Sequence, residues 1–156
     1  MTKRPTFEWN ENIGAASCFL EDKEGNVFYG SAFCHDDDED FQSEKTGCTI
    51  ALGRATIDYL RWYRDQLRTE IKTLRHFYSI IEQAKDFDGK AKIPRMLRRQ
   101  IRLKEEELDL VRNEIVTEQK DLKQFIEDKD LFYRRMRYLR NEDKNKQNNT
   151  KETQKN

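Results

Sequence analysis

No apolar run in this chain approaches the roughly 18–20 residues that a membrane span requires. Its opening segment, Met1 to Thr6, leads into Phe7-Glu8-Trp9 and not into an apolar signal core, so a soluble protein of the cytoplasm is the expectation. Cysteine is scarce. Cys18, Cys34 and Cys48 are an odd three toward the N-terminal end, which fits reduced thiols better than a disulfide framework. There is no Cys-x-x-Cys pair, so a metal centre drawn from Cys18, Cys34, His35 and Cys48 is not expected. The acidic run Asp36–Asp40 lacks the glycine and terminal glutamate of a calcium-binding EF-hand, and no glycine-rich phosphate cradle is present. His35 and His76 lie far apart in sequence, and no serine or cysteine sits in a nucleophile motif. These gaps argue against catalysis, and no cofactor is expected.

Core-forming material is also thin. Of 156 residues, 35% are hydrophobic and 38% charged, a balance that suits elongated helices with narrow buried stripes. The length allows one ordinary domain. A net charge of zero conceals an asymmetry: residues 1–45 carry a formal charge of −7 and the remainder +7. An anionic partner should therefore meet the second, basic part.

What is present begins with strands. Phe7–Trp9 reads as one short strand. Ala15–Leu20 and Val27–Cys34 read as a hairpin around Lys23-Glu24-Gly25-Asn26, where Gly25 supplies a positive φ. Closing the turn on Lys23 and Asn26 sets Ala16, Cys18 and Leu20 on one face with Phe33, Ser31 and Tyr29. An isolated two-stranded hairpin is marginal in water, so that face needs an apolar cover, such as the root of the first helix. His35–Asp40 reads as a loop anchored by Phe41. Ser43 or Thr46 can cap the helix that follows, with Glu44 favourable at its positive end.

From Ile50 to Ile81 apolar residues recur by threes and fours without a slip, a heptad seam interrupted by Gly53 and Arg64. Asp86-Phe87-Asp88-Gly89 reads as a stop and turn after a helix ending near Lys85. A second helix starts at Pro94 and carries a similar seam from Leu97 to Leu139, broken by Lys104, Glu118 and Lys129. At 1.5 Å per residue the two helices span roughly 58 and 70 Å, and a short loop makes them antiparallel. The expected class is α+β: a small antiparallel β element with an acidic loop over residues 1–45, a two-helix coiled-coil hairpin over 46–141, and a disordered tail over 142–156. Side aromatics such as Trp62, Phe77 and Phe132 widen the apolar surface beyond one seam, which points to a homo-oligomer, a dimer or higher.

Folding the hairpin near Gly89 gathers cations at its base. Arg54, Arg61 and Arg64 then approach Arg134, Arg137 and their neighbours, interleaved with Tyr59, Trp62, Tyr133 and Tyr138. Guanidinium groups bind phosphate bidentately and aromatic rings stack on bases. Free amides at the start of the first helix add an anion site. The candidate ligand-binding residues are Arg54, Arg61, Arg64, Asp130, Tyr133, Arg134, Arg137 and Tyr138. Arg64 stands out because it breaks an apolar seam, although seam charges also set register and oligomer number.

The stretch Ala32-x-Cys34, Asp38-x-Asp40-Phe41-x-x-Glu44-x-x-Gly47-x-x-Ile50-Ala51-x-x-Arg54-Ala55 resembles a pattern in small phage-encoded proteins, among them the Thoeris anti-defence sponge family. Members of that family bind a cyclic ADP-ribose immune signal and hold it uncleaved. The resemblance implies a sheet followed by two helices, dimers or larger oligomers, and ligand pockets between protomers. It also implies arginines for the phosphates, an aromatic ring for the base, and a place in the cytoplasm of an infected host. Arg54 lies inside the matching stretch. Asp130, Arg134 and Tyr138 are added by their turn-by-turn spacing near the end of the second helix. Two other functions fit the same composition. One is a coiled-coil protein binding nucleic acid through its basic helices, with steeply salt-dependent affinity, and it is the less favoured. The other is a structural adaptor that docks a host helix on its seams.

Overall fold

The computed structural model describes residues 4–34, 43–84 and 92–153. The element order is β1 (Thr6–Asn10), β2 (Ala15–Glu21), β3 (Val27–Phe33), α1 (Glu44–Gln83) and α2 (Lys92–Thr153), with a single 3-10 turn at Glu11–Ile13 between β1 and β2. This is the α+β class: a three-stranded antiparallel sheet of order β1-β2-β3 followed by two long helices. The expected acidic loop, the Phe41 anchor and the Asp86–Gly89 turn fall outside the described residues. No helix among the described residues is long and apolar enough to cross a membrane.

The β2–β3 register departs from the expectation by one residue. Ala16 pairs with Ala32, Cys18 with Gly30 and Leu20 with Phe28, so Phe33, Ser31 and Tyr29 stand on the opposite face. Because strand side chains alternate, a slip of one exchanges the faces completely. The cause is Asp22. Its carboxylate accepts the backbone N–H of Glu24 at 2.8 Å and of Asn26 at 2.9 Å, and the Asn26 amide at 2.7 Å. The Asp22 N–H donates to the Asn26 carbonyl at 3.0 Å, which makes Asp22 and Asn26 the closing pair. Three residues remain for the loop, and its last, Gly25, takes the left-handed conformation at φ 88° that this turn requires. Hydrogen bonding to Asn26 holds the Asp22 carboxyl below the usual carboxylate range.

The chain divides into two compact units, one of Met1–Ala55 with Lys120–Asn156 and one of Thr56–Gln119. In the first, the inner face of the sheet packs on the start of α1 through small residues. Ala16, Cys18, Ala32, Ala51 and Ala55 are all at most 4% exposed. A Cβ on Gly30 would lie 2.0 Å from the Ala51 carbonyl oxygen, so only glycine permits the strand to come this close. Ser43 caps α1: its Oγ accepts the Thr46 N–H at 3.2 Å, and its carbonyl accepts the Gly47 N–H at 2.9 Å.

The second unit is an antiparallel helix pair. Leu60, Leu67 and Ile71 of α1 pack with Leu108, Val111 and Ile115 of α2, residues the heptad seams single out. Each such side chain contributes about 1.5–3 kcal/mol when fully buried. Ion pairs fix the direction, with Arg75 to Glu105 at 2.5 Å and Lys104 to Glu70 at 3.0 Å. Tyr59 and Tyr63 flank this core, and the Tyr63 hydroxyl donates to Glu107. That bond and partial burial push the phenol up to about 12.

Helix ends differ from expectation mainly in α2. It begins two residues before Pro94, whose missing N–H falls in the first turn, where no intrahelical acceptor awaits it. It then continues past Asn141 to Thr153, because no glycine or proline follows Pro94 to stop it.

Candidate functional site

Within the first unit a cleft of about 160 Å³ opens beside the start of α1. Its walls come from three places. Ser43, Thr46 and Gly47 bring the first turn of α1, Trp9 and Phe33 come from the sheet, and Lys129, Asp130 and Tyr133 come from α2. Each element delivers its side chain for a local reason. Trp9 pairs with Ala16 across β1 and β2, so its ring lies on the face that meets the helix, against Gly47. Lys129 and Tyr133 are four residues apart on α2, hence on one side of it.

The electrostatics are those of a small anion site with ring walls. The first turn of a helix carries roughly half a positive charge, although here Ser43 already accepts from the Thr46 and Gly47 amides and Glu44 adds a carboxylate to the same turn. Lys129 adds a full charge, its ammonium lying 5.5 Å from the Phe125 ring centre and 6.0 Å from that of Phe132. Asp130 adjoins them but is engaged by Arg134 at 2.6 Å. Tyr133 meets Phe132 edge to face at 5.6 Å. Cys48, one turn into α1, and the fully buried Cys18 both have thiols raised chiefly by burial, so neither is an activated nucleophile. None of the three cysteines forms a disulfide. No group of three or more metal-ligating side chains occurs among the described residues.

Of the eight candidate residues, the cleft brings together Asp130 and Tyr133, with Arg134 joined to it through Asp130. Arg54 does not line it. Its guanidinium donates to the Ser31 carbonyl and ties α1 to β3. Arg61 and Arg64 belong to the second unit. Arg64 forms a two-point bond to its neighbour Asp65, at 2.9 and 3.2 Å, and only 28% of its side chain is exposed. Arg137 is half-buried further along α2, and the Tyr138 hydroxyl donates to Glu142 at 2.9 Å, which raises its pKa. Tyr59, placed by sequence reasoning among base-stacking rings, stacks on Tyr63 at 6.1 Å and packs on the helix core.

Sequence reasoning missed Trp9 and Lys129. A signal for Lys129 existed: it interrupts the second seam just as Arg64 interrupts the first. No family model, curated protein or solved structure matches the chain.

Proposed function

We propose that this chain is a non-catalytic binding protein for a small anionic ligand bearing a planar ring. The reading with most support is a phage-encoded anti-defence protein that sequesters a cyclic nucleotide of the cyclic ADP-ribose type without degrading it. One observation carries it: the first turn of α1, Lys129, Trp9 and Tyr133 line a single cleft. Phosphate suits the helix terminus and lysine, and a purine suits the rings. Holding without cleavage is supported by two groups of the cleft that are already engaged. Ser43 Oγ is the helix cap, and Asp130 is held by Arg134.

The volume bounds the fit. About 160 Å³ is below the roughly 300–1,000 Å³ of a pocket that encloses a whole ligand. The cleft takes one ring or one phosphate, and the rest of the ligand lies on its open side. The test is retention. Purified protein is incubated with cyclic ADP-ribose isomers, freed of unbound ligand and heat-denatured, and the released material is analysed by mass. The reading expects an intact cyclic nucleotide, lost in Lys129→Glu. Retention of none, or release of cleaved product, overturns it.

A further inference from the structure

The sequence of α2 reverses its charge in the middle of the second unit. From Lys92 to Lys104 there are six basic residues and no acidic one, whereas from Glu105 to Glu118 there are six acidic and one basic. Along the same stretch runs an apolar stripe that the hairpin core does not use. Met96, Leu103 and Leu110 recur every seven residues and are 54%, 49% and 70% exposed. Leu103 also forms one wall of a groove with Gln100 and Glu107, faced by Thr69, Thr73 and Leu74 of α1, with a volume of about 470 Å³. An apolar position repeated at this interval is the pattern by which one helix meets another along a shared seam.

We propose that this stripe is the contact face for a second copy of the chain, lying antiparallel with the two-fold axis at Leu103. Charge selects both the occupant and its direction. About that axis, Met96 of one copy meets Leu110 of the other, and Leu103 meets its own equivalent. Arg99 then lies opposite Glu106 and Glu107, and the symmetry makes each such pairing twice. A parallel arrangement would set basic block against basic block and acidic against acidic, so it is repelled. Nucleic acid is disfavoured on this face because the acidic block would lie along the phosphates. Arg95, Arg99, Glu106 and Glu114 are all exposed, and the one ion pair among them, Glu106 with Arg102 at 3.4 Å, is a solvent-facing contact that the interface can replace. This surface is independent of the ligand cleft, and its test leaves the cleft untouched.

The experiment is charge exchange read by sedimentation equilibrium at low salt, on the full chain. Wild type is expected to dimerise. Arg95→Glu with Arg99→Glu reverses two charges of the basic block, and Glu106→Lys with Glu114→Lys reverses two of the acidic block. Each double variant should weaken self-association by at least about tenfold, and an equimolar mixture of the two should restore a dimer. Circular dichroism confirms that each variant keeps its helices, since none of the four residues is buried. Wild type that stays monomeric would leave the stripe to a helix of another protein and overturn the proposal. So would double variants that self-associate as wild type does, or a mixture that fails to pair.

Discussion

The two units of this chain are held together by opposite means. In Thr56–Gln119 the buried residues are large and aliphatic: Ile57, Leu60, Leu67, Ile71, Leu108, Val111 and Ile115. In the unit carrying the sheet Leu20 and Phe28 are buried too, but the sheet and α1 approach through alanines, Cys18 and Gly30. A core of large side chains is injured by subtraction, because truncation leaves a cavity that neighbours fill only in part. A core of small ones is injured by addition, because backbone already stands where a side chain would go. The same fold thus has one region that tolerates no loss and another that tolerates no growth.

Gly30→Ala should have the largest effect. Its Cβ would lie 2.0 Å from a backbone oxygen and 2.5 Å from the Ala55 nitrogen, neither of which can rotate away. The expected outcome is a loss of about 5 kcal/mol or an unfolded sheet. Amide exchange should show β3 opening while amides around Leu67 stay protected. Wild-type protection in β3 would break the comparison. Leu67→Ala tests the other side. Leu67 is fully buried, so truncation should cost about 3 kcal/mol in urea denaturation, and the sheet amides should be the better preserved.

Tyr63→Phe sharpens the account of the helix pair. Losing the hydroxyl bond to Glu107 should cost about 1 kcal/mol at neutral pH. The folded pKa is raised to about 12, so this stabilisation is fully present below the unfolded value near 10 and is lost as pH rises through the folded one. Denaturation curves of wild type and variant should therefore converge at high pH, and a constant gap would count against the bond. The smallest effect belongs to Gly53→Ala. There the new Cβ meets a Leu122 methyl at 2.9 Å, the far end of a side chain that can turn. A gain in helix propensity of about 1 kcal/mol offsets the shift, leaving a net change within about 1 kcal/mol. A collapse as severe as that of Gly30→Ala would show that Leu122 has no room to move.

Much of the architecture was legible because it is local. The threes and fours from Ile50 to Ile81 anticipated the core positions Ile57, Leu60, Leu67 and Ile71, since a helix stacks residues by its own period. Gly25 as turn residue was legible for the same reason, and the cap was narrowed to Ser43 or Thr46, of which the structure uses Ser43. The hairpin register was misplaced although its signal was in the chain: Asp at the first position of the turn and Gly25 at the fourth mark a turn begun at Asp22, not Lys23. The candidate site was legible only in part. Asp130 and Tyr133 line the cleft, but the arginines chosen by composition are mostly engaged with neighbours. Arg64 holds Asp65, Arg134 holds Asp130 and Arg54 holds a strand carbonyl.

By itself, then, the sequence determined the strands, the two helices and the apolar seam that joins them, because spacing along the chain dictates which side chains share a face. The tertiary structure alone decided which of these faces meet. Trp9, the first turn of α1 and Lys129 converge only after Asp22 has fixed the register and Gly30 has let β3 rest on Ala51. Neighbours so distant in sequence are set by packing, and the spacing of residues along one chain carries no measure of it.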